Sequence, residues 1–207
     1  MPLRALIADD HELFRSGLKQ LLVDVLDAED VREAETLDEA IEILTSEGAG
    51  DLVLVDLRMP GMSGAEALAA LRDGFPDAKV AVVSAVEDRS EIFAALAAGV
   101  HGYILKSLPA AGIADAIRAV LGGQIYVPPA LGRREPGATS DAPPPSSDKL
   151  TARQKEVLAE LLKGQSSKEI ARALDIAEGT VKIHLAAIYR AIGVRTRAEA
   201  IAKLKSN

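Results

Sequence analysis

Short apolar runs alternate with stretches of helical period through roughly the first 124 residues of the chain. The runs are Leu3–Ala8, Asp51–Val55, Lys79–Val83 and Gly102–Leu105, with a weaker one, DVREAE, beginning at Asp30 and second in chain order. Between them, helical spacing predicts His11–Val23, Leu37–Ser46, Gly64–Asp73, Asp88–Ala98 and Ala110–Leu121. Five strands alternating with five helices imply an α/β domain with a parallel sheet covered on both faces. The near-continuous apolar character of most runs agrees, because a parallel strand is buried on both sides. From Lys149 onward the strand pattern is gone. Helices are expected over Ala152–Lys163, Ser167–Leu174, Glu178–Ala191 and Arg197–Lys205, with Gly164 and Gly193 at helix ends.

Between the two patterns lies PPALGRREPGATSDAPPPSS, which holds six of the ten prolines and almost no large apolar residue. Such a segment cannot bury a core and reads as an extended linker, stiffened by Pro143, Pro144 and Pro145. The division is residues 1–124, a linker at 125–148, and a small all-α domain at 149–207.

Charge sharpens that division. The net charge of −7 argues against nucleic acid, but the average conceals two halves. Residues 1–148 carry 12 Lys and Arg against 25 Asp and Glu, whereas residues 149–207 carry 12 against 6. An acidic body with a basic end points to an attached nucleic-acid module. There is no cysteine, which excludes disulfides and thiolate metal sites and suits a reducing cytoplasm. The N-terminal apolar run is too short and too quickly acidic for a signal peptide, and no stretch approaches a membrane span. A cytoplasmic protein with no membrane partner is expected.

In an open parallel sheet, ligands bind beyond the carboxyl ends of the strands. The first run is followed by Asp9 and Asp10, the third by Asp56, the fourth by Ser84 and the fifth by Lys106. Taken singly, the aspartates are helix caps or turn formers and Lys106 is a solvated charge. Taken together, they converge on one edge. Neighbouring carboxylates repel unless a cation sits among them, and oxygen-only ligands favour Mg²⁺. A carboxylate is also a nucleophile toward phosphorus, giving an aspartyl phosphate whose charge a metal and a lysine offset.

The motifs ADDH at Ala8–His11, VDLRMPGMSG at Val55–Gly64, VVSA at Val82–Ala85 and GYILKS at Gly102–Ser107 resemble a response-regulator receiver domain. The resemblance implies a flavodoxin-like (βα)5 fold with Asp56 as phosphoacceptor. It implies Mg²⁺ held by Asp9, Asp10, Asp56 and the backbone carbonyl of Arg58, with Lys106 pairing to the phosphoryl group and Ser84 moving to bond it. Tyr103 is read either as a rotameric switch that follows Ser84 or as a half-buried strand aromatic. Arg58 and Val86 stand at positions variable in the family, so the lifetime of the phosphorylated state is open. His11 and His101 lack metal-binding company and are read as structural.

In the basic end, Val181, Leu185, Ile188 and Ile192 recur at helical spacing as an inner face, while Thr180, Lys182, Ile183, His184 and Ala186 form the other side. Such a helix fits a DNA major groove, and a small protein-interaction bundle is the competing reading. Leu150–Ala200 resembles a LuxR-type helix-turn-helix domain, and with the receiver it is similar to the NarL/FixJ transcriptional regulators. By that resemblance Lys182 and Ile183 contact bases, and Lys168, Thr180 and His184 lie near phosphates. His184 also reads as a helix-packing residue. Ser167, Ala177 and Ala186 depart from residues frequent in the family, and Ala186 puts the DNA sequence preference in doubt.

The function expected is a transcription factor binding double-stranded DNA, phosphorylated at Asp56 by a histidine kinase. Phosphorylation would unmask the recognition helix, promote a homodimer, or both; Ile201 and Leu204 are candidates for the dimer contact or for internal packing. No enzyme action on outside substrates is expected. Two other classes stay open: a phosphatase or phosphotransferase, for which Asp9-Asp10 lacks the one-residue spacing of haloacid-dehalogenase-like enzymes, and a regulator that works without phosphorylation.

Overall fold

The computed structural model describes residues 2–129, 150–194 and 196–205, with no account of the Arg190 and Lys205 side chains. The remainder of the expected linker lies outside the described residues.

Five parallel strands, β1 (Leu3–Ala8), β2 (Ala28–Ala34), β3 (Leu52–Val55), β4 (Lys79–Ser84) and β5 (Gly102–Leu105), form one sheet in the order β2-β1-β3-β4-β5. Five helices follow them in turn: α1 (Glu12–Leu26), α2 (Leu37–Ser46), α3 (Ala65–Gly74), α4 (Arg89–Ala97) and α5 (Ala110–Leu121). Strand alternation sorts the core into two layers. Leu6, Ala8, Val53, Val55, Val80 and Val82 face a cluster that takes in Leu37, Leu44, Leu68, Leu71 and Ile92 of α2, α3 and α4. Ala5, Ile7, Leu52, Leu54, Ala81 and Val83 face Leu18, Leu22, Ile113 and Ile117 of α1 and α5. The three central strands are therefore apolar on both faces through their middles, with polar residues only at Arg4, Lys79 and Ser84 near their ends.

Two edges differ from the sequence reading. Strand β2 begins at Ala28 and keeps Glu29 and Asp30 exposed, because an edge strand has one unpaired flank and tolerates charge there. At the opposite edge Tyr126, inside the stretch read as linker, bridges to Gly102: Tyr103 donates its N–H to Tyr126 at 2.9 Å and Tyr126 donates to His101 at 3.1 Å. Those bonds satisfy backbone groups that β5 would otherwise leave open.

The C-terminal domain contains α6 (Ala152–Leu162), α7 (Ser167–Leu174), α8 (Glu178–Ala191) and α9 (Arg197–Lys205). Thr151 with Gln154, and Ser166 with Glu169, close capping boxes that fix the starts of α6 and α7. Val157, Leu161, Ile170, Val181, Leu185, Ile188 and Ala200 make a core of its own. Ile201 packs against that core, in keeping with the internal reading of the last helix.

Candidate functional site

Strand β1 delivers Asp9 and Asp10, β3 delivers Asp56 and β5 delivers Lys106 to one pocket. Asp9 and Asp56 are each 2% exposed. Backbone bonds hold them there: the Asp56 N–H donates to Ala8 at 2.8 Å and the Asp9 N–H to Ala34 at 3.0 Å. Lys106 Nζ reaches Asp9 Oδ2 at 2.7 Å and Asp56 Oδ2 at 3.0 Å, and lies 4.7 Å from the centre of the Phe14 ring. One ammonium thus offsets two buried carboxylates, while Asp56 Oδ1 is buried with no hydrogen-bond partner. An orphaned carboxylate oxygen is costly unless a cation or donor arrives. The donor set, Asp9, Asp10 and Asp56 with one oxygen each in a small cluster, fits a hard divalent ion.

Ser84 ends β4 fully buried; its Oγ accepts the Val86 N–H at 3.3 Å, and its carbonyl accepts the Lys106 N–H at 2.9 Å. Tyr103 is fully buried, not half-buried, and donates its hydroxyl to the Val86 carbonyl at 2.9 Å. Burial pushes its phenol pKa up. Ser84 and Tyr103 therefore converge on one short loop after β4. The Arg58 side chain ion-pairs with Glu91 of α4 at 2.6 Å.

The two histidines separate. His101 Nδ1 accepts the Val80 N–H at 3.1 Å, and burial lowers its pKa, a structural role as expected. His11 is corrected: Nδ1 lies 2.7 Å from Asp10 Oδ1 and 3.2 Å from Asp9 Oδ1, inside the acidic cluster. The N-cap backbone of α1, φ −92° and ψ 97°, sets that position, which residue spacing does not report.

Most of the outer side of α8 is covered, with Lys182 partly exposed. It packs on α2, α3 and the loop after β3. Thr180 and Ile183 are fully buried, His184 is 4% exposed, and Ile183 and Ala186 join the receiver-side core. Thr180 Oγ1 hydrogen-bonds Ser63 Oγ at 2.8 Å, and Lys182 Nζ pairs with Asp38 at 2.6 Å. Arg153 of α6 reaches Glu66 at 3.2 Å. The approach is closest at Gly179, where a Cβ would stand 2.5 Å from the Gly61 carbonyl oxygen, so only glycine fits. Four residues expected at DNA thus face the receiver; Lys168 is exposed. Both ring nitrogens of His184 are buried without partners, and desolvation, reinforced by Arg153 and opposed by Asp73 and Glu156, lowers its pKa to about 4. Among the described residues, no helix is long and apolar enough to cross a membrane.

Comparison with known proteins agrees with this architecture. The response regulator receiver domain profile matches residues 5–118, and that of the bacterial regulatory proteins, luxR family, matches residues 148–204. The chain is 39% identical to the glycerol metabolism activator of Pseudomonas putida over 96% of its length and 93% of that protein's. It is 36% identical to the nitrate/nitrite response regulator protein NarP of Escherichia coli K12, with the same coverage. A crystal structure of the response regulator ChrA, from a heme-sensing two-component system, aligns at TM-score 0.51 with 31% identity, over 99% of this chain and 97% of that one.

Proposed function

Because the chain belongs to the NarL/FixJ-type response regulators, transcriptional regulators that join a receiver to a LuxR-type DNA-binding domain, we propose that phosphorylation of Asp56 by a partner histidine kinase releases α8 to bind double-stranded DNA. The observation that carries this is the linkage of the two regions through one short loop. Asp56 ends β3, and Gly61 and Ser63 of the same loop touch Gly179 and Thr180 of α8.

In the transfer, an Asp56 carboxylate oxygen forms the new bond to phosphorus as the phosphorus–nitrogen bond to the kinase imidazole breaks; the electron pair leaves with that imidazole. Asp9, Asp10, Asp56 and the Arg58 carbonyl would hold Mg²⁺, which supplies positive charge against the phosphoryl oxygens. Lys106 already stands at 3.0 Å from Asp56 and is placed to pair with the same oxygens. The Ser84 hydroxyl turns to donate to the phosphoryl group, and the loop carrying Val86, which holds the Tyr103 hydroxyl, moves with it. The phosphorylated site favours the released form only through such differential contacts. Released α8 sets Lys182 and Ile183 toward bases, with Lys168, Thr180 and His184 toward phosphates. In a homodimer two such helices would sit about one DNA turn apart, about 34–36 Å.

The test is DNA binding with and without a small-molecule phosphodonor. The native chain gains affinity with the donor, and Asp56→Asn does not. Equal stimulation of both would remove Asp56 from control.

A further inference from the structure

The acidic pocket holds one nitrogen donor among its oxygens. His11 Nδ1 lies 2.7 Å from Asp10 Oδ1, 3.2 Å from Asp9 Oδ1 and 3.9 Å from Asp56 Oδ2. One donor atom from each of these four side chains lies within 4.8 Å of all the others. Around a small divalent ion with bonds of about 2.1 Å, adjacent octahedral ligands stand about 3 Å apart and opposite ones about 4.2 Å. The three His11 separations fall in or near that range, and the whole set stays within 4.8 Å. A second observation points to a missing cation: Asp56 Oδ1 is buried, on a residue 2% exposed, with no partner. The His11 backbone is tied to the same cluster, since its N–H donates to Asp9 Oδ1 at 2.9 Å. The imidazole makes no capping bond to α1, so helix formation does not account for its position.

We propose that His11 is a protein ligand of this cation site and gives it a preference for first-row transition ions over Mg²⁺. The proposal rests on the reading of Asp9, Asp10 and Asp56 as the metal site. A carboxylate cage alone suits Mg²⁺, whereas an imidazole nitrogen adds little for that hard ion and binds Co²⁺ more strongly, with Mn²⁺ between them. His11 then decides which divalent ion occupies the receiver when several compete. Its side chain is 64% exposed, so the imidazole stands at the open mouth of the acidic pocket.

Two measurements on the full chain test this. Pulsed electron paramagnetic resonance of bound Mn²⁺ reports directly coupled nitrogen; the coupling is expected in the native chain and absent in His11→Ala. Calorimetry with Co²⁺ and with Mg²⁺ is expected to give a Co²⁺ affinity lowered by about tenfold or more in His11→Ala, because even outer-sphere partners change affinity by that order, with the Mg²⁺ affinity changed less than about twofold. Mn²⁺ bound without nitrogen coupling, or equal losses for Co²⁺ and Mg²⁺, would overturn His11 as a ligand while leaving the carboxylate site intact. Failure of the native chain to bind any of the three ions would remove the metal reading itself.

Discussion

Asp56 and His184 each bury polar atoms that have no partner, and the two regions around them relieve that cost in different ways. In the acidic pocket the orphan is one carboxylate oxygen on a residue fixed by backbone bonds to β1. A cation or a phosphoryl group fills the deficit without moving the strands. At the seam between α8 and the receiver the orphans are both nitrogens of a desolvated imidazole, enclosed by α6, α8 and α3. There the deficit is relieved only if the domains part and water enters. On the function proposed above, the pocket is completed by a ligand and the seam is relieved by motion. The loop from Asp56 to Ser63 belongs to both.

The sharpest way to break the seam without touching its charges is Gly179→Ala. The new Cβ would press on a backbone carbonyl, which cannot rotate away as a side chain does. Overpacking of this kind costs about 1–3 kcal/mol, and alanine stabilises the free helix by about 1 kcal/mol. Because α8 is helical in the closed form too, the propensity gain cancels between closed and open forms; the clash alone should lower the closed-to-open ratio by about five- to 150-fold, taking about 1.4 kcal/mol per factor of ten. The chain has no cysteine, so fluorescent labels placed at Ala94→Cys and Ala173→Cys report the domain separation cleanly. An unchanged separation would mean that α8 does not rest on Gly61.

His184 gives the next effect, through pH. Its closed-state pKa is about 4, against an ordinary 6.5. The open form, with the ring hydrated, therefore binds the proton more readily. Closure is at full strength above 6.5 and weakens as pH falls through 6.5 toward 4. Between about pH 7.5 and 5.5 the open-to-closed ratio should rise by about tenfold, if release restores the ordinary value. His184→Gln should flatten that dependence. His101 also sits below its ordinary value, but it bonds Val80 inside the receiver and does not face the seam. A native chain as insensitive to acid as the glutamine variant would show that His184 stays buried after opening.

The pocket was legible in the sequence and the seam mostly was not, for a physical reason. A parallel sheet turns chain order into position: every strand ends at the same edge, so Asp9, Asp10, Asp56, Ser84 and Lys106 meet whatever their distance in sequence. The seam pairs two surfaces whose match depends on shape. One trace of it lay in the pattern: Ile183 and Ala186, apolar residues on the side of α8 read as facing DNA, are what the receiver covers. His11 escaped because its ring direction follows from the N-cap dihedrals of α1, and the one-residue step from Asp10 does not reveal whether it turns in or out. The polar start of β2 hid its length, since an edge strand lacks the apolar signature that made β3 and β4 plain.

Asp38→Asn gives the smallest expected effect and separates what holds the seam from what aligns it. The Lys182–Asp38 pair is short at 2.6 Å, but the two side chains are 37% and 56% exposed. Exposed pairs contribute roughly 0.2–1 kcal/mol, or about 1.4- to fivefold in the closed-to-open ratio. Lys182 also keeps Glu178 of its own helix at 3.8 Å, which damps the loss further. The substitution leaves Lys182 intact, so any gain in DNA binding without a phosphodonor reports opening rather than a changed DNA contact. High salt should weaken closure more in the native chain than in the variant, because screening acts on the Lys182–Asp38 pair that the variant lacks, while the Arg153–Glu66 pair across the seam is screened in both. A loss of closure as large as that of Gly179→Ala would reverse the assignment: charge would hold α8 in place, and the buried contacts of Ile183 and Ala186 would be secondary.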